Sequence, residues 1–350
     1  MEKDKTISND NKEKLNNKIY NNILNNNVIL DNDKILVAVS GGSDSMTLLN
    51  FLYSMRNKFK NIGINYEIAA IHLNHRIRKE SNEETKYVID YCNSNNIKIF
   101  VLEKDILKEA KDNKLGTEEC ARKARYDFFE KISLENGYNK IALAHNSNDN
   151  VETILLNIIR GSGIKGLCGM DYKFGKIIRP LIEITKNENN EYCKMNNLKY
   201  YIDKSNFDEN YTRNRIRNTL IPDIKEKYNP SFEEGILRLS KIAKADNMFF
   251  EEYINKIYSK IVINANDEYI LFDFKDMSSM QDGIKSRIMR KIIYELNGDV
   301  NSVESIHIKD MIKLLENNIT NKQYILGNKF KLSVIKKYTA KIERRGINGK

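Results

Sequence analysis

The chain has 350 residues, of which 41% are hydrophobic and 30% charged, and its formal net charge is +10. No segment approaches the ~18 uninterrupted apolar residues of a membrane span, and the polar, asparagine-rich start lacks the apolar core of a signal peptide. We therefore expect a cytoplasmic protein with no membrane partner, of two or three domains, whose basic charge favours an anionic partner.

Short apolar segments of β pattern alternate with amphipathic segments from residue 31 onward, after an N-terminal extension over 1–30 that we expect to be helical. The β segments are 34–39, 66–73, 97–102 and 140–144, and the helical segments are 44–56, 82–95, 117–136 and 149–160. Strict alternation predicts an α/β fold with a doubly wound, mostly parallel sheet covered by helices on both faces. Ligands of such sheets bind at the carboxyl ends of the strands.

The pattern changes in the last part of the chain. A capping box at 185–188 predicts a helix to Asn196, followed by a strand at 199–202. Two long helical segments follow, at 211–227 and 232–263, and then a strand at 269–274, helices at 283–296 and 305–315, and strands at 323–326 and 329–337. We predict a main domain over 31–227, a helical linker over 228–265 and a small α/β module over 266–350.

The most informative segment lies between the first predicted strand and helix. It consists of Ser40, Gly41, Gly42, Ser43, Asp44 and Ser45, and is called the phosphate loop below. A glycine- and serine-rich turn at this point directs backbone N–H groups, hydroxyls and a positive helix end at one spot, as phosphate binding requires. Because the loop lacks the lysine of a Walker motif, we expect amides, hydroxyls and a metal ion near Asp44 to meet the phosphate charge.

A second glycine motif, at 161–166, matches the dinucleotide-binding pattern G-x-G-x-x-G. That pattern must follow a strand and open a helix, whereas this one ends a helical segment. We interpret it as a helix C-cap followed by a flexible loop.

A cluster of ionisable residues marks the strand-to-helix junction at 145–153. Asp149 and Glu152 are three residues apart and so share one face of the first helical turn, where they also complement the helix dipole. With His145 just upstream, the cluster can hold magnesium, orient an amine or take a proton. His72, at the end of the second predicted strand, falls at the same edge of the sheet.

Basic residues form two further candidate groups. Arg213 and Arg217 project from one helical face as a guanidinium pair suited to phosphates, with an ordinary basic surface turn as the alternative. On the predicted helix 117–136, Glu118 and Arg122 lie four apart and Arg122 and Arg125 three apart, and a solvated series of ion pairs is the simpler interpretation.

Together these motifs resemble the tRNA(Ile)-lysidine synthetase family of the PP-loop ATP pyrophosphatases, over residues 34–227. The segments that carry the resemblance are 40–45, 74–78, 118–126, 145–153, 160–163, 166–170, 179–181, 203–206 and 213–217. The resemblance implies an adenine nucleotide alpha hydrolase-like fold for the main domain. It also implies a carbon–nitrogen ligase, which adenylates the wobble cytidine of tRNA(Ile) with anticodon CAU and then joins L-lysine to it, releasing AMP and diphosphate.

The resemblance also implies roles for individual residues. ATP would be bound by the phosphate loop with His72 and Arg122, and Mg²⁺ would lie at Asp44. Lysine would be bound by Asp149 and Glu152. Catalysis would involve Asp44, His145, Asp149 and Arg213, with His145 assisting proton removal. The tRNA would be contacted by Arg78, Arg125, Arg213 and Arg217.

Two features depart from the family pattern, which usually has two consecutive aspartates where this chain has Asn148 and Asp149, and often a longer C-terminal part. The asparagine bears on any role that needs both carboxylates. From the shorter C-terminal part we expect tRNA contacts that are rearranged, not abolished.

Three other functions are alternatives to lysidine synthesis. A homodimer is a further expectation for the oligomeric state. A tRNA thiolase with an iron–sulfur cluster needs C-x-x-C pairs, whereas Cys92, Cys120, Cys168 and Cys193 are widely spaced. A small-molecule GMP or NAD synthetase leaves the basic C-terminal module unexplained. A tRNA-binding relative without catalysis has Asn148 as its single sequence hint.

Overall fold

A computed structural model describes residues 2–74, 81–114, 116–201, 211–300, 303–327 and 329–344. The chain divides into two compact units, Met1–Lys244 and Ala245–Lys350. The finer domain limits at residues 30, 227 and 265 stay a prediction. None of the helices in the described ranges has the length and apolar character needed to cross a membrane.

The first unit contains the alternating elements that the sequence predicts. They are α1 (Glu2–Asn25), β1 (Asp33–Ala38), α2 (Ser43–Ser54), α3 (Arg56–Lys60), β2 (Tyr66–Asn74), α4 (Ser81–Ser94), β3 (Lys98–Glu103), α5 (Ile106–Asn113), α6 (Thr117–Asn136), β4 (Lys140–Ala142), α7 (Ser147–Ile159), α8 (Ile164–Leu167), β5 (Lys173–Phe174), β6 (Ile177–Ile178), α9 (Lys186–Met195), α10 (Thr212–Arg215) and α11 (Ile221–Lys227). A π-helical turn, Ile216–Leu220, joins α10 to α11, and α12 (Phe232–Ile261) begins in this unit.

The sheet of the first unit has the strand order β3-β2-β1-β4-β6-β5. All neighbouring pairs are parallel except β5 with β6. The predicted doubly wound, mostly parallel sheet is thus confirmed. From β1 the chain first adds β2 and β3 on one side of the sheet and then adds β4 on the other side. The topological switch point therefore lies between β1 and β4, where ligands of such sheets bind.

Strand β1 is central because it is apolar on both faces. Ile35, Leu36 and Val37 are fully buried, as are Ala69 and Ala70 on the neighbouring β2. A strand buried on both sides reads as a continuous apolar run, which is why the sequence locates it well. Its carboxyl end is therefore a rigid platform for the residues that follow.

Two local predictions were wrong. Residues 199–201 are not paired in a sheet, because the backbone N–H of Tyr201 donates instead to the carbonyl of Gly41 (3.0 Å). The glycine motif at 161–166 ends α7 as expected, with Gly161 at φ +73°. However, Gly163 then caps the short helix α8 rather than opening a flexible loop.

Gly169 fixes the segment after α8 against α7. Its φ is +64°, and a Cβ there would lie 2.3 Å from Oδ1 of Asn150. That oxygen accepts a hydrogen bond from the backbone N–H of Met170 (2.7 Å). The close approach requires glycine and ties this loop to the helix that carries Asp149 and Glu152.

The second unit is an antiparallel sheet packed with helices. Its elements are β7 (Val262–Ala265), β8 (Tyr269–Asp273), a 3₁₀ turn (Lys275–Ser279), α13 (Asp282–Asn297), α14 (Ser305–Asn317), β9 (Gln323–Leu326), β10 (Phe330–Lys336) and β11 (Thr339–Arg344). The strand order is β7-β8-β11-β10-β9. The predicted small α/β module is confirmed, with two strands, β7 and β11, that the sequence analysis missed.

Candidate active site at the switch point of the sheet

The phosphate loop lies directly after β1, at the switch point. The hydroxyl of Ser45 accepts from the backbone N–H of Ser40 (3.1 Å) and donates to the carbonyl of Gly42 (2.9 Å), which closes the loop on itself. Gly41 has φ +88°, a conformation that L-residues with side chains rarely adopt. The loop then opens α2, whose first turn presents free N–H groups and the positive end of the helix dipole.

Asp44, in the first turn of α2, is held by two residues of α9. The ammonium of Lys186 lies 2.7 Å from its Oδ2, and the amide of Asn189 donates to its Oδ1 (2.7 Å). The Lys186 ammonium also donates to the hydroxyl of Ser43 (2.9 Å). A lysine therefore does reach the phosphate loop, although it comes from a helix 142 residues further along the chain.

His72 is hydrogen-bonded to the end of β1, directly before the phosphate loop. Its Nδ1 lies 2.8 Å from the carbonyl of Val39 and its Nε2 lies 2.9 Å from the hydroxyl of Thr85. The side chain is buried, and burial lowers its pKa. Because protein atoms use both ring nitrogens, His72 joins the end of β1 to α4, and this geometry argues against a hydrogen bond from the ring to ATP.

A compact cluster of two carboxylates and two guanidinium groups lies at the start of α7. Glu152 accepts from Nε of Arg213 (2.8 Å) and from Nε and Nη2 of Arg217 (2.5 and 2.9 Å). Asp149 Oδ1 accepts from Nη2 of both arginines (3.2 and 3.1 Å). We call these four residues the carboxylate–arginine cluster. The two carboxylates predicted to bind lysine are thus paired with the two arginines predicted to contact tRNA.

The local sequence explains how the four side chains meet. Asn146 and Asp149 form a capping box, in which Asp149 Oδ2 accepts from the backbone N–H of Asn146 (3.1 Å) and leaves Oδ1 for the arginines. On the other side, Arg213 and Arg217 flank the start of the π-helical turn. Pro222, one turn later, has no N–H and would clash with a regular α-helical carbonyl, which accounts for the widened turn.

Asn148 connects this cluster to the phosphate loop. Its Oδ1 accepts from the backbone N–H of Lys186 (2.9 Å), and its amide donates to Oε1 of Glu233 (2.6 Å). Glu233 is also paired with Lys225 (2.5 Å). The asparagine that departs from the family pattern therefore uses both its acceptor and its donor, and an aspartate could supply only the acceptor.

His145 lies beside the cluster, as expected, in a defined tautomer. The Nε–H of Arg179 donates to its Nδ1 (3.2 Å). Because a guanidinium group cannot accept, the neutral ring carries its proton on Nε2. Burial lowers the pKa of His145 to about 4; the charge of Asp149 opposes this, and the charges of Arg179, Arg213 and Arg122 add to it. Because the one lone pair of the neutral ring accepts from Arg179, this arrangement argues against the predicted role of His145 in proton removal.

The depressed pKa of His145 predicts a pH-dependent stability. The unfolded ring has a pKa near 6.5, so acid favours the unfolded state from about pH 6.5 down to about pH 4. Lowering the pH from 7 to 5 should cost the wild type about 2 kcal/mol more than the His145→Asn variant, whose Oδ1 still accepts from Arg179. Urea unfolding at both pH values measures this difference. Equal losses in the two proteins would contradict it.

The remaining predicted residues are placed as follows. Arg122 is exposed on α6, 5.1 Å from the ring of Tyr126, and its charge acts on His145 and Arg179. Arg125 is exposed on the same helix. Arg78 lies outside the described residues, as does the segment 203–206.

Three residues at the site were missed by the sequence analysis: Lys186, Arg179 and Tyr201. Arg179 follows β6 and also donates to the carbonyl of Asp171 (2.8 Å), and Tyr201 lies against Gly41. Two signals were available: segment 179–181 is among those that carry the family resemblance, and Lys186 opens a capped helix at the same edge of the sheet.

Comparisons with known proteins identify the family of the chain. Residues 11–224 match the model of the PP-loop domain family. The chain is 37% identical to a tRNA(Ile)-lysidine synthase of Clostridioides difficile over 88% of its own length and 66% of that protein. It is 34% identical to the enzyme of that name from Caldanaerobacter subterraneus, over 94% of its own length and 68% of that protein. The chain thus spans about two thirds of the length of these relatives.

A solved structure has a similar fold. The U34-tRNA thiolase NcsA from Methanococcus maripaludis superposes with a TM-score of 0.52 at 22% identity, over 66% of this chain and 79% of that one. At that identity the likeness concerns the fold alone. The family match and the curated relatives, together with the phosphate loop at the switch point, lead to one conclusion: the chain belongs to the tRNA(Ile)-lysidine synthase family of PP-loop proteins.

Proposed function

We propose that this protein is a carbon–nitrogen ligase that joins L-lysine to the wobble cytidine of tRNA(Ile) with anticodon CAU, using ATP and forming lysidine. The observation that carries the proposal is the shared position of the phosphate loop and the carboxylate–arginine cluster at one switch point, in a chain of this family. The loop fits a triphosphate, and the cluster beside it offers charges for an amine and a nucleotide.

The first step uses the phosphate loop. The carbonyl oxygen of the cytosine attacks the α-phosphorus of ATP, and the bond from that phosphorus to the bridging oxygen breaks, so that pyrophosphate leaves. The backbone N–H groups and hydroxyls of the loop would hold the β- and γ-phosphates. Preorganised donors of this kind stabilise the charge that develops on the leaving group.

A Mg²⁺ ion fits the chemistry of Asp44. Mg²⁺ is usually bound by one or two carboxylates together with substrate phosphates, and Asp44 supplies one carboxylate at the loop. The described residues contain no group of three or more His, Cys, Asp or Glu that could hold a metal without the substrate. When bound, Mg²⁺ would neutralise part of the charge on the phosphates.

The second step uses the carboxylate–arginine cluster. The ε-amine of lysine forms a bond to the cytosine carbon that carries the AMP group, and the bond from that carbon to the AMP oxygen breaks. We place the lysine ammonium at Asp149, because its side chain is 17% exposed whereas that of Glu152 is 1% exposed. Entry of the ammonium would release Arg213 from Asp149 toward the phosphate of the intermediate, while Glu152 keeps Arg217 in place.

His145 would act as a hydrogen-bond donor. Its neutral ring carries a proton on Nε2, for which the described residues offer no acceptor, so this N–H can stabilise negative charge on a substrate oxygen. The proton of the attacking amine would pass to solvent water, since the lone pair of His145 accepts from Arg179. Arg122 and Arg125 on α6, and Arg78, are proposed to contact the nucleotide or the tRNA, for which the net charge of +10 provides general attraction.

The proposal is tested by incubating the protein with ATP, Mg²⁺, radiolabelled lysine and a tRNA(Ile) transcript with anticodon CAU. We expect label in the RNA with one AMP and one pyrophosphate per lysine. A transcript with uridine at the wobble position should take up none. The Asp44→Asn variant should lose AMP release but still bind tRNA in a gel-shift assay. Sulfur transfer without lysine incorporation would instead identify a thiolase.

A further inference from the structure

We propose that Lys186 supplies the phosphate-binding cation that the phosphate loop lacks. Its ammonium is hydrogen-bonded to Asp44 and Ser43, and on nucleotide binding it moves to an oxygen of the β- or γ-phosphate. This inference rests on the proposed use of ATP, but not on lysine or tRNA as the other substrates.

The charge of the phosphate loop calls for a cation from outside it. The loop contains no basic residue and one acidic residue, Asp44. Among the described residues, Lys186 is the one lysine or arginine hydrogen-bonded to a side chain of the loop, through Oδ2 of Asp44 and Oγ of Ser43. A triphosphate brought to a loop with a net negative side chain needs a cation, and this ammonium is already there.

The backbone of Lys186 is held firmly in place. Lys186 is the first residue of α9, which is fixed by the capping box between Thr185 and Glu188. Asn148 accepts from the backbone N–H of Lys186, so the base of the side chain is anchored from a second helix. The helix itself packs on α2, where the hydroxyl of Thr47 donates to the carbonyl of Asn189 (3.2 Å).

The charged end of the Lys186 side chain, in contrast, is free to move. The Lys186 side chain is 47% exposed, compared with 23% for Asp44. An ammonium has three donors, and among the described residues two are used, by Asp44 and Ser43. Its anchored base and exposed end let the ammonium exchange a carboxylate for a phosphate without a backbone movement. Asn189 remains on Oδ1 of Asp44 when the lysine leaves.

Binding of inorganic pyrophosphate, ATP and AMP, measured by titration calorimetry without tRNA or lysine, tests the proposal. The Lys186→Met variant should bind pyrophosphate and ATP about 10- to 100-fold more weakly, the range for loss of a hydrogen bond to a charged group. Its affinity for AMP, which lacks both outer phosphates, should be unchanged. Lys186→Arg should keep most of the pyrophosphate affinity.

A matched control and a double variant exclude indirect effects. Lys194→Met removes the same charge from the exposed last turn of α9 and should leave all three affinities unchanged. If Lys186 acted merely by neutralising Asp44, adding Asp44→Asn to Lys186→Met would restore pyrophosphate binding in EDTA. Under our proposal it does not.

Restoration of binding in the double variant, wild-type pyrophosphate affinity in Lys186→Met, or an equal loss for AMP would overturn the inference. Circular dichroism and the thermal midpoint verify that each variant is folded. A failure of lysine incorporation with intact pyrophosphate binding would count against the proposed function alone, so the two proposals can fail separately.

Discussion

The Glu152→Gln variant should lose about 3 kcal/mol of unfolding free energy, the lower end of the range for breaking a buried ion pair, since the arginines are partly exposed. Glu152 is 1% exposed and accepts three hydrogen bonds from Arg213 and Arg217. A glutamine removes one of two negative charges that face two guanidinium groups and turns an N–H group toward their donors. Urea unfolding at pH 7 measures the loss.

A double variant separates this interaction from a general effect of the substitution. In the Glu152→Gln, Arg217→Gln protein, two neutral amides can bond to each other, so the loss should be at least about 1 kcal/mol smaller than the sum of the single losses. Glu191→Gln, an exposed position on α9, serves as the control and should change stability by less than about 0.5 kcal/mol. Additive losses would show that the cluster contributes no coupling.

The Asn148→Asp variant should be less stable by about 2–3 kcal/mol at pH 7, although it introduces the residue that is usual in the family. The amide that donates to Glu233 at 2.6 Å becomes a second carboxylate at that distance. Two carboxylates so close raise the pKa of one of them. The destabilisation should therefore decrease as the pH falls from 7 to 5 and one of the carboxyl groups takes up a proton.

A second substitution should restore the stability that Asn148→Asp loses. In the Asn148→Asp, Glu233→Gln protein, the amide at 233 donates to the carboxylate at 148, so the hydrogen bond re-forms in the opposite direction. Asn148→Asp with Glu234→Gln, which changes the charge at the exposed neighbouring position, should not be rescued. Equal stability of the two double variants would mean that Glu233 is not the cause.

The sequence predicts the first unit well because its signals are local. A continuous apolar strand, a glycine turn and an amphipathic helix are each written within about fifteen residues, and their alternation gives the sheet. The prediction of a strand at 199–202 was wrong because a short apolar segment does not by itself specify a neighbouring strand. The backbone N–H of Tyr201 donates to the carbonyl of Gly41 instead. In the second unit, β11 was missed because its sequence is rich in charge. The buried Ala340 and Ile342 alternate with Lys341 and Glu343, so the apolar pattern of the strand is weak.

The site shows the same division between local and distant information. The phosphate loop and the acidic first turn of α7 are contiguous motifs, so the sequence locates them. The partners of those residues are not contiguous. Lys186 reaches Asp44 across 142 residues, and Arg179 sets the tautomer of His145 across 34. Such contacts depend on packing, and so the pairing of the predicted lysine-binding carboxylates with Arg213 and Arg217 could not be read from spacing.

The capping box at the start of α7 has a consequence for recognition. One carboxylate, Asp149, both closes the first helical turn and holds two guanidinium groups. A ligand that draws Asp149 away from the backbone N–H of Asn146 therefore weakens that turn, and by reciprocity a frayed turn raises the affinity for such a ligand by the same free energy. Substrate recognition and local folding are thus one thermodynamically linked process in this helix.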